Sequence, residues 1–246
     1  MSAPHPDPAP ASDPGRRPLV LVTGASRGIG RAIAAELAAD HDLILGGRDP
    51  EALRELAGEL TPARTQILAA ELTDQVAVAA ALAELDLGEG LDGLVHSAGI
   101  LVSGTVEELG AADWARSFAV NVTAVAELTR ALLPPLRAAR GTVVMINSGN
   151  GFTARAGGAA YAASKFALRA LADALREEER PHGLRVVSIH PGRTDSDMQR
   201  QLRAFEDGAY RPTDYLRPQS VAATVGLALR IGEDAAVESL SIRPRG

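Results

Sequence analysis

From Leu19 onward, short continuous apolar runs alternate with longer stretches whose apolar residues recur at helical spacing. Leu19–Val22 reads as a first strand, ended by Thr23-Gly24, and a helix starting near Gly28 carries Ile33, Glu36 and Leu37. Leu43–Leu45 is a second strand, followed by a helix over Glu51–Leu60 with Pro50 in its first turn. Thr65–Ala69 is a third strand, and Asp74 suits the N-cap of a helix reaching Leu85. Leu91–His96 is a fourth strand. A long helix is predicted over Trp114–Leu133, stopped by Pro134-Pro135. Thr142–Asn147 then reads as strand, Ala159–Glu179 as helix, and Leu184–His190 as a strand stopped by Pro191-Gly192. A helix over Val221–Leu229 and a last strand near Val237–Ile242 close the pattern.

Strand–helix alternation builds parallel crossovers, and strands written as continuous Val/Ile/Leu runs are covered on both faces. The expected fold is therefore α/β: a Rossmann-type doubly wound parallel sheet of about seven strands with helices on both faces. Residues 18–246 are expected to form a single domain, which suits a chain of 246 residues. Met1–Arg17, with five prolines and almost nothing to bury, is expected to be a disordered leader and lacks the apolar stretch of a secretory signal.

Composition narrows the function by exclusion. The chain has no cysteine, so disulfides, zinc–thiolate sites and thiol catalysis are ruled out, in keeping with a cytoplasmic location. Its five histidines show no metal-ligand spacing, and no metal is expected. A formal charge of −6 gives no electrostatic reason to expect nucleic acid or an anionic membrane as partner. No apolar run approaches the roughly 20 residues that span a bilayer.

The chemistry begins at Thr23-Gly24-Ala25-Ser26-Arg27-Gly28-Ile29-Gly30, between the first strand and the first helix. An open α/β sheet offers a dinucleotide a helix N-terminus there, and glycines remove β-carbons from the path of a pyrophosphate. The spacing is Gly-x3-Gly-x-Gly rather than the general fingerprint. At the end of the second strand, Leu45-Gly46-Gly47-Arg48-Asp49 puts glycine where an NAD site usually has its acid and arginine directly after. Arg27 and Arg48 together suit a ribose 2′-phosphate, so the expected cofactor is NADP(H), with Asp49 facing solvent.

Tyr161-Ala162-Ala163-Ser164-Lys165 opens a helix and sets phenol and ammonium on one face. Ser148 follows the fifth strand, thirteen residues earlier, at the edge where ligands bind. A phenol normally titrates near 10, and a neighbouring ammonium together with an oxidised nicotinamide should lower it. A serine hydroxyl beside the same carbonyl would polarise it.

With these residues in place the chain resembles the short-chain dehydrogenase/reductase family, over nearly all of Leu19–Ile242. The resemblance rests on Thr23–Gly30, Ala98-Gly99, Asn121, Ser148, Tyr161, Lys165 and Pro191-Gly192. It implies that Tyr161 donates the proton to the substrate carbonyl oxygen and that Ser148 orients that oxygen. Lys165 would hold the nicotinamide ribose and depress the tyrosine pKa. Asn121 would fix a water that relays protons to Lys165. The backbone around Pro191-Gly192-Arg193-Thr194 would bind the carboxamide, with Ser196 where the family often has threonine. Departures from the pattern are His96-Ser97 before Ala98-Gly99, with Ser97 still expected against the adenine ribose and His96 expected to be a hydrogen-bonded strand-end residue. Glu71-Leu72 replaces an Asp-Val pair that commonly contacts adenine, and the C-terminus lacks the glycine-rich ending of ketoacyl reductases.

Specificity is expected in a lid over about 194–218, either an apolar one from Met198, Leu202, Phe205, Tyr210, Tyr215 and Leu216, or one whose Arg200, Arg203, Arg211 and Arg217 pair with an acidic substrate. A solvated helix carrying those arginines is the preferred alternative. Loops Leu101–Thr105 and Asn150–Ala156 should complete the pocket. The expected activity is NADPH-dependent reduction of a small ketone, aldehyde or 3-oxo acid. The same residues would serve oxidation of a 3-hydroxy acid or alcohol. A silent dinucleotide-binding protein is disfavoured, because it has no need of Ser148, Tyr161, Lys165 and Asn121 together. A homodimer or homotetramer is expected through alanine-rich faces of the two long helices.

Overall fold

A computed structural model of the chain describes residues 16–232 and 234–245. Seven strands form one sheet in the order β3-β2-β1-β4-β5-β6-β7, and every neighbouring pair is parallel. They are β1 (Leu19–Thr23), β2 (Asp42–Gly47), β3 (Thr65–Ala69), β4 (Gly93–His96), β5 (Thr142–Ile146), β6 (Arg185–Pro191) and β7 (Ser239–Ile242). The helices are α1 (Gly28–Leu37), α2 (Pro50–Glu59), α3 (Gln75–Ala83), α4 (Ala111–Phe118), α5 (Ala124–Ala139), α6 (Ala159–Glu179), α7 (Asp197–Phe205) and α8 (Pro218–Arg230).

The period-two rule of strands divides the apolar residues between two cores. Val20, Val22, Leu43, Leu45, Val144 and Ile189 join Ile33, Leu37, Leu53 and Val225 of α1, α2 and α8 on one face. Leu21, Ile44, Val143 and Met145 join Val78, Leu128, Leu132 and Leu168 of α3, α5 and α6 on the other. From β1 the chain runs outward through β2 to β3, then returns to place β4 on the other flank of β1. The crevice above β1 and β4 is thus the switch point where such sheets bind ligands.

Three expectations need correction. The helix over Trp114–Leu133 is two helices, α4 and α5, joined by a π-helical turn at Ala119–Thr123. Nor do Pro134-Pro135 stop it: α5 continues to Ala139. Leu132 and Leu136 are buried on either side of the pair, while Arg130 and Ala131, whose carbonyls lose their partners, are exposed to water. Finally, Arg16 and Arg17 are not part of a loose leader. Arg16 holds Asp92 through two bonds of 2.8 and 2.6 Å, and Arg17 holds Asp42 and the carbonyls of Ala38, Ala39 and His41. The leader's remaining residues, 1–15, lie outside the described ones.

Candidate active site

The glycine loop, Ser97–Gly99, Ser148 and Gly192–Ser196 follow the C-terminal ends of β1, β4, β5 and β6, so they gather at one edge of the sheet. The glycine loop owes its shape partly to packing rather than to a ligand. A β-carbon on Gly30 would lie 2.1 Å from the carbonyl oxygen of Gly24, so α1 can close on the loop only through glycine. Gly28 differs: its φ is +55° and its nearest neighbour stands 3.9 Å away, leaving open space in front of it. Thr23 accepts from the Ser97 and Ala98 N–H groups, each at 3.1 Å, and so ties the ends of β1 and β4 together.

Helices α2, α3 and α7 are capped by Asp49, Asp74 and Ser196. Asp49, exposed as expected, thus has a capping duty. Helix α1 has neither a side-chain cap nor an acid in its first turn. Its N–H groups and positive dipole end face the space before Gly28, an arrangement that receives anions. The two arginines predicted to read a 2′-phosphate flank that space, exposed, and each makes one 3.3 Å contact: Arg27 with Asp197 and Arg48 with Glu71. Exposed pairs of this kind hold weakly. Leu72 packs against the second core.

Ser148 follows β5, and its Oγ accepts from the Asn150 N–H at 3.1 Å. Tyr161 sits in the first turn of α6 with 8% of its surface exposed, near enough to Ser148 for the serine to draw its pKa downward. Lys165, one turn on, donates from Nζ to the Ile146 carbonyl at 3.0 Å and lies 5.8 Å from the centre of the tyrosine ring. Burial pushes the phenol's pKa up, and the neighbouring Ser148 hydroxyl pulls it part-way back. Burial also drives the ammonium down to about 8. For the tyrosine the net direction is upward, because a phenolate buried among apolar neighbours loses its hydration.

Asn121 lies in the π-helical turn, a device that re-aims side chains at functional sites. Its amide donates to the Ile100 carbonyl and to Ser164 Oγ, both at 3.0 Å, and its Oδ1 accepts from the Ile100 N–H at 2.9 Å. Both amide hydrogens are therefore committed within the protein, leaving that side chain no free donor for a water. Its contribution is to fix the Gly99–Ile100 backbone next to Lys165; a β-carbon on Gly99 would stand 3.2 Å from Asn121 Oδ1 and 3.9 Å from Lys165 Nζ.

His96 is buried and bonds through Nε2 to Thr129 Oγ1 at 2.9 Å. Because Thr129 donates its own hydrogen to Val125, His96 is the donor, and burial drives its pKa down to about 3. It is a neutral core residue.

Two cavities meet at the serine–tyrosine pair. A small one, about 80 Å³, is lined by Ile29, Asn147, Ser148, Tyr161, Pro191, Gly192, Thr194, Ser196 and Gln199. A larger one of about 560 Å³ shares Ser148, Tyr161, Pro191 and Gly192 and extends to Leu101, Ser103, Asn150, Phe152, Leu202 and Phe205, with both loops expected to shape the pocket represented. Of the apolar lid residues, Met198, Leu202 and Phe205 reach it, whereas Tyr210 and Tyr215 stack on each other, ring centres 4.9 Å apart. Ser196 is the N-cap of α7, and Thr194 Oγ1 donates to the Gly192 carbonyl at 3.1 Å.

Sequence reading missed three contributors. Asn147 takes the Ser148 N–H on Oδ1 at 2.9 Å while its buried Nδ2 has no partner on the wall of the small cavity. His190 donates from Nδ1 to the Ser148 carbonyl at 3.1 Å and stacks on Phe152. Arg243 reaches the larger cavity from the C-terminal segment. Asn147 could have been found as a polar residue ending an apolar strand beside Ser148; the other two depend on tertiary folding alone.

Comparison with known proteins bears on this arrangement. Residues 18–207 match the family described as short chain dehydrogenase. The chain belongs to this family. An uncharacterised oxidoreductase of Staphylococcus aureus is 30% identical over 232 residues, covering 92% of this chain and 96% of its own. Nodulation protein G of a Rhizobium species is 39% identical over 186 residues, 74% of this chain and 75% of that one. Among solved structures, an alcohol dehydrogenase from the archaeon Thermococcus sibiricus complexed with 5-hydroxy-NADP superposes with a TM-score of 0.83 at 26% identity, covering 92% and 96% of the two chains. A metagenomic short-chain oxidoreductase in complex with NADP reaches 0.78 at 31% identity, covering 93% and 97%. The short-chain dehydrogenases are oxidoreductases of CH–OH and C=O groups that bind a nicotinamide dinucleotide, and this protein is one of them. Among the described residues no helix is long and apolar enough to cross a membrane.

Proposed function

We propose that the protein reduces a ketone or aldehyde with NADPH, and that Ser148, Tyr161, Lys165 and Asn121 form its catalytic set. The observation that carries this reading is that Ser148 and Tyr161 together line both cavities, standing where the smaller meets the larger. The residues present fit a nicotinamide dinucleotide. Asn147 Nδ2 and Gln199 Nε2 are buried donors without partners beside the small cavity, and the α1 N-terminus is uncapped. Thr23, Gly24, Ser26, Gly28, Ile29 and Gly30 would hold the pyrophosphate, with Ser97, Ala98, Gly99, Glu71 and Leu72 toward the adenosine. Gly192, Thr194 and Ser196 would hold the carboxamide. Such a cofactor supplies the hydride that a carbonyl carbon accepts.

The rest is the work of this chain's own side chains. At neutral pH the buried Tyr161 is a protonated phenol, so it enters the reaction as an acid rather than a base. Its proton goes to the carbonyl oxygen as negative charge develops there. The phenolate left behind is stabilised by the Ser148 hydroxyl and by the nearby Lys165 ammonium, which is still largely charged at neutral pH. Asn121 keeps that ammonium's surroundings rigid.

Arg27 and Arg48 support NADPH over NADH: a 2′-phosphate offers each a bidentate, doubly charged partner in place of a single long contact. NADP and 5-hydroxy-NADP in two structural relatives accord with this choice. We further propose one catalytic domain over residues 18–246, assembly into a homodimer or homotetramer, and a cytoplasmic site of action, which the cysteine-free composition suits. The test is loss of NADPH absorbance against a panel of ketones, aldehydes and oxo esters, with NADH and Tyr161→Phe in parallel. Turnover that persists in the variant would refute Tyr161 as the acid.

A further inference from the structure

Of the four arginines that sequence alone offers to an acidic substrate, Arg217 is absent from the wall of the larger cavity and the other three are engaged elsewhere. Arg200 pairs with Asp195 and lies over the Tyr210 ring, Arg203 binds Glu206, and Arg211 binds Asp214. The acids on the wall of the larger cavity are likewise neutralised. Glu206 takes two bonds from Arg193, at 2.9 and 2.5 Å, besides the one from Arg203, and Asp214 is held by Arg211. Two guanidiniums on that wall, Arg155 and Arg243, have no carboxylate partner among the described residues.

Arg243 is pinned in place. Its Nη1 donates to the His190 carbonyl at 2.5 Å and to the Ile242 carbonyl at 3.0 Å. Its Nε and Nη2 make no hydrogen bond among the described residues, and a β-carbon on Gly149 would lie 3.4 Å from Nη2. The unpartnered edge of a fixed guanidinium therefore stands beside the residue that follows Ser148. That edge presents two parallel N–H donors, the pattern that grips a carboxylate bidentately.

We propose that the substrate is a short oxo acid, its carboxylate held by Arg243 a bond or two from the reacting carbonyl and attracted into the cavity by Arg155. This rests on the carbonyl-reductase reading and narrows it. Ser148 takes the ketone oxygen while Arg243, beside Gly149, takes the acid, and the apolar wall supplies the third contact needed to select one face of the carbonyl. Met198, Leu202 and Phe205 line the remainder and suit a short apolar chain.

Acetoacetate and methyl acetoacetate differ by one charge and share their carbonyl, which makes their ratio the readout. With NADPH the acid should exceed the ester in kcat/KM by about tenfold or more. Arg243→Ala should bring that ratio close to one, Arg243→Lys should restore part of it, and Arg155→Ala should lower it severalfold. The Arg155 side chain makes no hydrogen bond or ion pair among the described residues, so it serves as the second variant if Arg243→Ala is unstable. An ester reduced as well as the acid, with a ratio that neither arginine affects, overturns the oxo-acid assignment and leaves the reductase reading intact. If neither compound is reduced, calorimetric titration of acetoacetate decides. Binding that weakens about tenfold in Arg243→Ala upholds the anion site although the reductase reading has failed, while absent or unaltered binding overturns the site as well.

Discussion

Lys165 donates to the main-chain carbonyl of Ile146 at 3.0 Å, and this bond holds a buried ammonium next to the ring of Tyr161. Burial lowers its pKa to about 8, so the charge that would support a tyrosine phenolate is present below that value and lost above it. The kcat/KM for reduction should therefore fall as pH rises through about 8. Stability should move the other way. The lysine titrates near 10.5 when unfolded and near 8 when folded, so between those values the unfolded chain binds the extra proton and folding becomes more favourable as pH rises. Urea unfolding across this window, compared with Lys165→Met, checks it; a wild-type curve parallel to the variant's would contradict the shift.

Tyr161→Phe and Ser148→Ala probe the proton transfer from its two ends. A positioned general acid contributes about 10²- to 10⁴-fold, so Tyr161→Phe should lose that much kcat while NADPH binding, followed by fluorescence, stays within a few-fold. Ser148→Ala removes the group that draws the phenol's pKa downward. Its residual activity should show a tyrosine limb displaced to higher pH, a signature that mere loss of packing would not produce.

The pairs Arg27–Asp197 and Arg48–Glu71 make an opposite-signed set of expectations. Either arginine changed to alanine should raise the KM for NADPH about tenfold and leave that for NADH nearly unchanged. Asp197→Asn and Glu71→Gln free the same arginines and should tighten NADPH by a few-fold. Parallel movement of both cofactors' KM values in all four variants would show that these arginines do not meet the 2′-phosphate.

How much of this was legible beforehand follows from the range of the interactions involved. The alternation of Val20, Leu21 and Val22 between two cores, and the caps Asp49 and Asp74, are local patterns, and they locate the sheet and its helices. The glycine loop and the Ser148, Tyr161 and Lys165 spacing likewise lie within one or two elements. Pro134-Pro135 misled because a helix held by buried Leu132 and Leu136 tolerates prolines on its wet side, which local propensity does not register. Arg16, Arg17 and Arg243 escaped notice for a related reason. Each owes its place to partners far along the chain or on another strand, such as Asp92 and the carbonyl of His190. The commitment of the Asn121 amide to Ile100 and Ser164 depends on the π-helical turn, for which the sequence has no clear signal.

Helices α5 and α6 are fastened by Arg137, whose guanidinium donates to both oxygens of Glu179 at 2.8 and 2.6 Å. Glu179 is 2% exposed, and this hydrogen bonding holds its carboxyl below the usual range. Arg137→Ala leaves the Glu179 carboxylate without its guanidinium partner and should lower the midpoint of urea unfolding at neutral pH. A carboxylate with a depressed folded pKa gives stability that is present above its unfolded pKa and lost as pH falls through the folded value. The gap between wild type and Arg137→Ala should accordingly close as the solution is acidified. A gap that stays constant down to low pH would mean that packing by the arginine stem, rather than charge, is responsible.

The glycines of the loop should separate folding from binding. At Gly30 an added β-carbon would sit 2.1 Å from the Gly24 carbonyl oxygen, an overlap relieved only by moving α1 off the loop. Overpacking of this kind costs about 1–3 kcal/mol, so Gly30→Ala should lower the unfolding midpoint and weaken dinucleotide binding together. Gly28→Ala meets nothing closer than 3.9 Å, and its penalty is the positive φ, about 1 kcal/mol. Its new methyl group, however, would enter the open space in front of the α1 N-terminus. Binding of NADPH should therefore fall by more than that stability loss explains, with the fluorescence titration moving further than the urea curve. Equal losses in the two measurements would mean that the pyrophosphate does not pass over Gly28, and that the uncapped end of α1 faces only water.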